Sequence, residues 1–175
     1  MNDLADKLEP HIPALRRYAR VLARDDHAAD DLVQDCLERA INRWHLRRNE
    51  GDPRAWLFTI LRNLFLGDVR RRKRRGTVVS FDDDDDLATG FPSTAPEGDA
   101  RVAFRDVLAA LDALAEEQRS VLLLVGVEDL SYEQAARVLD VPLGTVMSRL
   151  SRGRERLRVL LESGVRGTTL LRSVK

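Results

Sequence analysis

The sequence predicts an all-α fold, built as two small helical domains joined by a flexible acidic linker. Three observations predict it. Leu, Arg and Ala are abundant, with only 5% aromatic residues and 33% charged ones, a helix-forming composition. Apolar residues recur at helical spacing through most of the chain. Between two such blocks lies Gly76 to Ala100, which has five consecutive aspartates (Asp82 to Asp86), a concentration of Gly and Pro, and no helical period. The expected organisation is a first domain at 1–75, a linker at 76–100, a second domain at 101–163 and a disordered tail at 164–175.

The elements follow in order. Ile12, Leu15, Ala19, Leu22 and Ala23 form one helical stripe. In the next helix Val33, Cys36, Leu37, Ala40, Ile41 and Trp44 share a face, and Asp31, Asp35, Glu38 and Arg39 lie opposite. His45 to Pro53 is a polar loop. A third helix starts near Arg54 and runs into the basic stretch Arg70 to Arg75. Beyond the linker, Val102 to Leu114 and Glu116 to Val127 are amphipathic helices. Ser131 and Gln134 have capping-box spacing and open a short helix. A turn over Leu139 to Gly144 leads into a long helix from about Leu143 to Leu161. Trp44 and Trp56 sit on apolar stripes, as core residues do.

Bulk properties exclude several classes. A lone Cys36 rules out a disulfide framework within the chain and suits a reducing compartment. Its place on an apolar stripe marks it as a small hydrophobe rather than a nucleophile. The polar amino terminus is not a signal peptide, and Val121 to Val127 is far short of the ~20 apolar residues of a membrane span. The expected location is cytoplasmic, with no membrane insertion. No catalytic, metal or cofactor site is expected. His11, His27 and His45 are scattered singly, and adjacent aspartates in a linker do not converge on a cation. A metal-dependent nuclease is therefore disfavoured.

The formal net charge of zero hides a partition. Residues 1–75 carry a balance of +5, residues 76–100 a balance of −7 and residues 101–175 a balance of +2, an asymmetry that points toward nucleic acid. Four arginines (Arg149, Arg152, Arg154 and Arg156) crowd the last long helix. Two helices joined by a tight turn, the second rich in Arg and Ser, form a helix-turn-helix pattern. Ala135 and Ala136 allow close approach, Val138, Leu139 and Val141 fill the gap, and Val146, Leu150 and Leu157 hold the second helix down. Thr145, Met147, Ser148, Arg149, Ser151 and Arg152 are then left to face outward, where Arg and Ser can bond base edges or phosphates. The alternative reading of the pattern, which it favours less, is a basic amphipathic helix whose arginines are merely solvated.

The stretch from Ser131 to Arg158, with the helices from Leu111 to Leu130 that introduce it, resembles region four of a bacterial sigma factor of the sigma-70 superfamily, extracytoplasmic-function (ECF) group. Independently, His27 to Trp44 with Pro53 to Arg75 resembles region two of the same family. The two motif sets cover nearly the whole chain in the family's order. The resemblance implies a protein without chemistry of its own that binds core RNA polymerase, recognises promoter DNA and assists its opening. Asp31, Gln34, Asp35 and Glu38 would dock on the clamp helices of the polymerase largest subunit, with the second domain at the flap of the second-largest. Arg47, Arg48, Asn49, Arg62, Asn63, Arg70 and Arg71 would serve the −10 element. Flipping a base there costs a few kcal/mol, which contacts must offset. Thr145, Met147, Ser148, Arg149, Ser151 and Arg152 would read the −35 element. An anti-sigma factor is an expected partner.

Two departures from the family stand out. Asp140 occupies the turn where the family usually has glycine; Asp tolerates left-handed backbone, so the turn should survive. Gly67 stands where an aspartate is usual, with Asp68 next, so the end of that helix could be displaced. The linker must also bridge two promoter elements about 17 base pairs apart, roughly 58 Å at ~3.4 Å each. As a relaxed coil it spans about 25–30 Å, and fully stretched roughly 80–90 Å. Its aspartates could act as a self-repelling spacer or as a polyanion mimic in a basic channel. An autonomous helix-turn-helix regulator and a sigma-like decoy for an anti-sigma factor are the alternatives; a lone motif with no dimerisation seam disfavours the former.

Overall fold

The structure, a computed structural model, describes residues 2–47, 53–74 and 99–172. All regular structure among them is helical. After α1 (Asn2–Leu8) and a 3-10 turn at Glu9–His11, α2 runs from Ile12 to Ala23 with a proline in its first turn, where the missing N–H costs nothing. Arg24 ends α2 in left-handed geometry (φ 57°) and donates its N–H to the Arg20 carbonyl at 2.9 Å. One residue later, Asp25 caps α3 (Asp26–Arg43) by accepting from the Ala28 N–H at 2.6 Å. A 3-10 turn at Trp44–Leu46 follows, and α4 spans Pro53–Arg74.

These helices enclose one core. Leu15, Ala19, Leu22, Cys36, Leu57, Phe58 and Leu61 are fully or almost fully buried; each large aliphatic contributes about 1.5–3 kcal/mol. Tyr18 meets Phe58 edge-on at 5.3 Å between ring centroids. The buried face of α3 is Ala29, Leu32, Val33, Cys36 and Ala40, with Leu37 and Trp44 packed partly against the core; of the predicted stripe only Ile41, 51% exposed, turns outward. Packing between α2 and α4 centres on the small residues Ala29, Cys36 and Ala40, which lets the helices approach and leaves Ile41 at the margin. Trp44 and Trp56 are half-buried and paired edge-on at 5.9 Å, with the Arg47 guanidinium 4.8 Å from the Trp44 ring centroid. The α4 helix continues through Gly67, where an added Cβ would meet nothing, and runs on to Arg74.

The second domain comprises α5 (Asp99–Asp112), α6 (Glu116–Gly126), α7 (Tyr132–Leu139) and α8 (Leu143–Arg172). The start of α5 lies two residues inside the predicted linker, and α8 extends past Leu161. Gly164 and Gly167 each lower helix propensity by about 1 kcal/mol without ending it. Gly153 sets the approach of α8 to α6, since a Cβ there would lie 3.1 Å from Leu122 Cδ1.

The two domains are not separate bodies. The α4 helix packs on α7 and α2 on α6, and the cluster of buried residues is continuous from Leu8 to Leu150. Nothing in the sequence announced this seam. The predicted linker, apart from its last two residues, lies outside the described residues.

Candidate nucleic-acid interface

The helix-turn-helix is built as its residues dictate. Ser131 caps α7 with a reciprocal box: its Oγ accepts from the Gln134 N–H at 3.2 Å, while Gln134 Oε1 accepts from the Ser131 N–H at 2.8 Å. At the other end Asp140 adopts left-handed geometry (φ 53°, ψ 52°), and the Val141 N–H donates to the Ala136 carbonyl at 3.1 Å. This is the bond pattern of a Schellman stop. The expectation that aspartate can replace the glycine of this turn holds. Ala135, Val138 and Leu139 of α7 are buried, as are Val146 and Leu150 of α8.

With those residues facing inward, the remaining side of the first turns of α8 faces solvent. Met147, 46% exposed, Ser151 and Arg152 are open, and Thr145, Ser148 and Arg149 are partly so. Ser148 Oγ donates to the Thr145 carbonyl at 3.1 Å, and Arg152 Nε donates to the Ser148 carbonyl at 3.3 Å. Both side chains therefore lie along the helix, and both bonds are local ones that a ligand can replace. All six predicted residues thus share one continuous surface. Further along α8, Arg158 is clamped between Glu155 and Glu162 at 2.7 and 2.6 Å, which holds that guanidinium above its ordinary pKa through hydrogen bonds to Glu155 and then Glu162.

The predicted acidic surface on α3 is also one face. Asp31, Gln34, Asp35 and Glu38 are all exposed, and Gln34 Nε2 donates to Glu38 Oε1 at 3.0 Å.

The predicted −10 residues are divided. Asn63, Arg70 and Arg71 are exposed on α4; Arg70 Nε donates to the Leu66 carbonyl at 3.2 Å, and Arg71 pairs with Asp68. Arg47 lies over Trp44. Arg48 and Asn49 lie outside the described residues. Arg62 is only 8% exposed and points into the seam between the domains, with its Nη2 3.9 Å from Glu116 Oε1. Its Nε has no acceptor among the described residues, a deficit of order 1–3 kcal/mol or more for a buried charged donor.

Sequence reasoning missed the residues of the seam. Glu128, 1% exposed, receives Arg17 on both oxygens at 3.0 and 2.9 Å and Arg54 at 3.2 Å. Asp112 accepts from Arg24 at 3.3 Å and from Arg119 at 3.2 Å, and its carbonyl accepts from Arg24 Nη2 at 2.7 Å. Tyr18 Oη donates to Ser120 Oγ at 3.3 Å, which donates onward to Glu116 at 2.8 Å. Burial and the neighbouring Arg24 charge push Arg119 below its ordinary value.

No group of three or more metal-ligating side chains occurs among the described residues, and none of their helices is long and apolar enough to cross a membrane. Cys36 is buried, its Sγ 3.5 Å from the Leu57 carbonyl, and burial pushes the thiol up to about 12.

A two-domain helical protein with a helix-turn-helix at its carboxy-terminal side and an acidic helix face at the other is the architecture of a promoter-recognition subunit. Comparison with known families agrees: residues 8–62 match the family described as the Sigma2 domain of PhyR, and residues 104–157 match Sigma-70, region 4. The chain is 38% identical over 160 residues to the ECF RNA polymerase sigma factor EcfG of Rhodopseudomonas palustris, covering 91% of this chain and 86% of that protein. Among solved structures, the sigma factor RpoE in complex with the anti-sigma factor NepR from Bartonella quintana superposes with a TM-score of 0.80 at 34% identity, over 93% of this chain and 98% of that one. CnrH, in complex with the cytosolic domain of CnrY, superposes with a TM-score of 0.67 at 26% identity, over 91% and 88%. The chain belongs to the ECF RNA polymerase sigma factor family.

Proposed function

We propose that the exposed face of α8, from Thr145 to Arg152, reads the −35 element, while the acidic face of α3 docks on core polymerase and α4 with the loop before it serves the −10 element. The observation that carries this reading is the construction of the helix-turn-helix. Its cap, left-handed turn and buried contacts are all satisfied internally, yet Met147, Ser151 and Arg152 are held in the open. A solvated structural helix needs no such turn. One short reading helix contacts few base pairs, so affinity comes from tethering weak contacts on one scaffold. The chain then works in the cytoplasm as part of holoenzyme, with no catalysis of its own. An anti-sigma factor is the natural inhibitory partner, since the structural relatives RpoE and CnrH are each seen in complex with NepR or CnrY.

The test is in vitro transcription with purified core polymerase and a pool of genomic promoter fragments. Initiation from a defined subset is expected, together with weak binding of promoter duplex by the isolated chain. Tight, sequence-specific duplex binding without polymerase would overturn the reading in favour of an autonomous regulator. Absence of initiation from the whole pool would overturn it in favour of a decoy.

A further inference from the structure

Large hydrophobic side chains exposed to solvent are few among the described residues. Two of them, Leu143 (38% exposed) and Met147 (46%), stand four residues apart at the start of α8. That spacing puts them on one face, one turn apart. The helix is anchored by other residues, Val146 and Leu150, both buried, so neither exposed side chain is needed to hold α8 in place. Ser151 continues the row of Leu143 and Met147, and Gly144, Ser148 and Arg152 form the adjoining row. The result is a short apolar ridge within a polar surface, at the end of the helix that enters a major groove. We infer that Leu143 and Met147 read the C5-methyl group of thymine in the −35 element. The inference rests on the −35 reading above and names the base chemistry that this face selects.

Thymine is the one base that presents an apolar group in the major groove; the other edges there offer donors and acceptors. Leu and Met side chains pair with none of those. Set against cytosine, they would strip water from its amino group without replacing the bond. Set against thymine, they bury a methyl. The unbranched thioether of Met147 adjusts to the angle of approach. The length of the ridge also fits. Cβ atoms one turn apart are about 5–6 Å from each other, and base pairs stack ~3.4 Å apart. The ridge therefore meets thymine at one pair or at two neighbouring pairs. Gly144 clears the adjoining row. Its own chain does not require the glycine, since a Cβ there would meet nothing within 4 Å, and glycine lowers helix propensity. What the bare backbone leaves is room for the sugar–phosphate chain at the edge of the groove. Ser148 and Arg152 cannot make the methyl contact; they offer hydrogen bonds, which suit guanine edges and phosphates.

The experiment uses holoenzyme, the full chain bound to core polymerase, and a promoter drawn from the pool above. Each thymine of its −35 element is replaced in turn by deoxyuridine, which removes the methyl and keeps the base pair. Wild type should lose affinity about fourfold, the effect of one buried methyl, at one position or two neighbouring ones. Met147→Ala should lose a similar factor on the unmodified promoter and no longer distinguish thymine from deoxyuridine there. Met147→Leu should keep the distinction. Leu143→Ala should act at the same pair or its neighbour. Val159→Ala trims another exposed hydrophobe, about 18 Å further along α8, and should change neither affinity nor discrimination. Equal affinity of wild type for thymine and deoxyuridine at every −35 position would overturn the methyl contact. So would full discrimination retained by the Leu143→Ala/Met147→Ala double variant, or a −35 element with no thymine on either strand. A promoter with its whole −35 element scrambled tells the two readings apart. If scrambling leaves wild-type affinity unchanged, the −35 reading of α8 itself fails; if scrambling abolishes binding while deoxyuridine has no effect, only the methyl contact fails.

Discussion

On α8, Met147, Ser151 and Arg152 stand open to solvent, while on α4 Arg62 is folded into the seam beside Glu116. Both surfaces carry arginine on a helix anchored by apolar residues, and both belong to the promoter contacts proposed above. They differ in what lies opposite. The α8 face is bounded by its own domain and is complete once the turn at Asp140 is made. The α4 face borders another domain, whose acids lie within reach. A reading surface can thus be shaped by local sequence, but its availability is decided by the rest of the chain.

The largest effect that would sharpen this contrast comes from truncating one arginine on each face. Arg152→Ala removes an exposed side chain whose only bond described is to its own helix, so stability should stay within about 0.5 kcal/mol. Discrimination among −35 sequences should fall by about 1–3 kcal/mol if it contacts a base, or binding should weaken uniformly if it contacts a phosphate. Arg62→Leu should behave differently. It replaces a buried, under-bonded cation with an apolar group, so the free chain should keep its stability or gain some, while promoter opening declines. Denaturant titration beside transcription assays measures both. A large loss of stability in Arg62→Leu would show that its contact with Glu116 is a strong one, and the contrast between the faces would break.

The features legible in sequence were those with short-range causes. The capping box at Ser131 and Gln134, the left-handed Asp140 and the outward set from Thr145 to Arg152 each follow from spacing within a turn or two of helix. The same logic found Asp31, Asp35 and Glu38, to which the resemblance added Gln34. On α3 that logic found Val33, Cys36 and Ala40 but took Ile41 inside and left out Ala29 and Leu32, because periodicity ranks residues by apolarity and cannot see which neighbour each one meets. It could not find the seam at all. Arg17 and Glu128 look like ordinary surface charges until the fold brings them together, and the uniform matching of signs is visible only then. The family resemblance supplied tasks for residues, but it placed Arg62 on a DNA face without showing that the free chain buries it.

A second measure separates the domains by chemistry. Burial raises the Cys36 thiol to about 12 and the Tyr18 hydroxyl to about 12 as well; both belong to the first domain, Tyr18 at the seam. Each group keeps its proton when folded and loses it at ordinary pKa when unfolded, so the unfolded chain binds fewer protons at alkaline pH. Their contribution is fully present below about pH 8.5 and is lost as pH rises, by about 1.4 kcal/mol per unit for the thiol and then, above about pH 10, for the phenol. Denaturant titrations from pH 7 to 10.5 should show this decline, and Cys36→Ala should remove its earlier portion. A flat profile would mean that these groups meet water in the folded chain.

The smallest effect concerns the turn that presents α8. Asp140 sits at φ 53°, where a Cβ crowds the following carbonyl at a cost of about 1–2 kcal/mol, less for Asp than for most residues. Asp140→Gly removes that crowding but gives the unfolded chain more freedom, worth about 0.5–1 kcal/mol against folding. The net change should be a gain below about 1 kcal/mol, a rise in Tm of no more than about 2–4 °C. Asp140→Val puts a β-branched side chain in the same geometry and should lower Tm by more than glycine raises it. The −35 affinity of holoenzyme provides the sharper readout. If the turn only positions a rigid α8, glycine leaves that affinity unchanged and valine lowers it in step with stability. A loss of affinity in the glycine variant at undiminished stability would show that the Asp140 carboxylate itself takes part in reading, and the surface assigned to α8 would have to extend back across the turn.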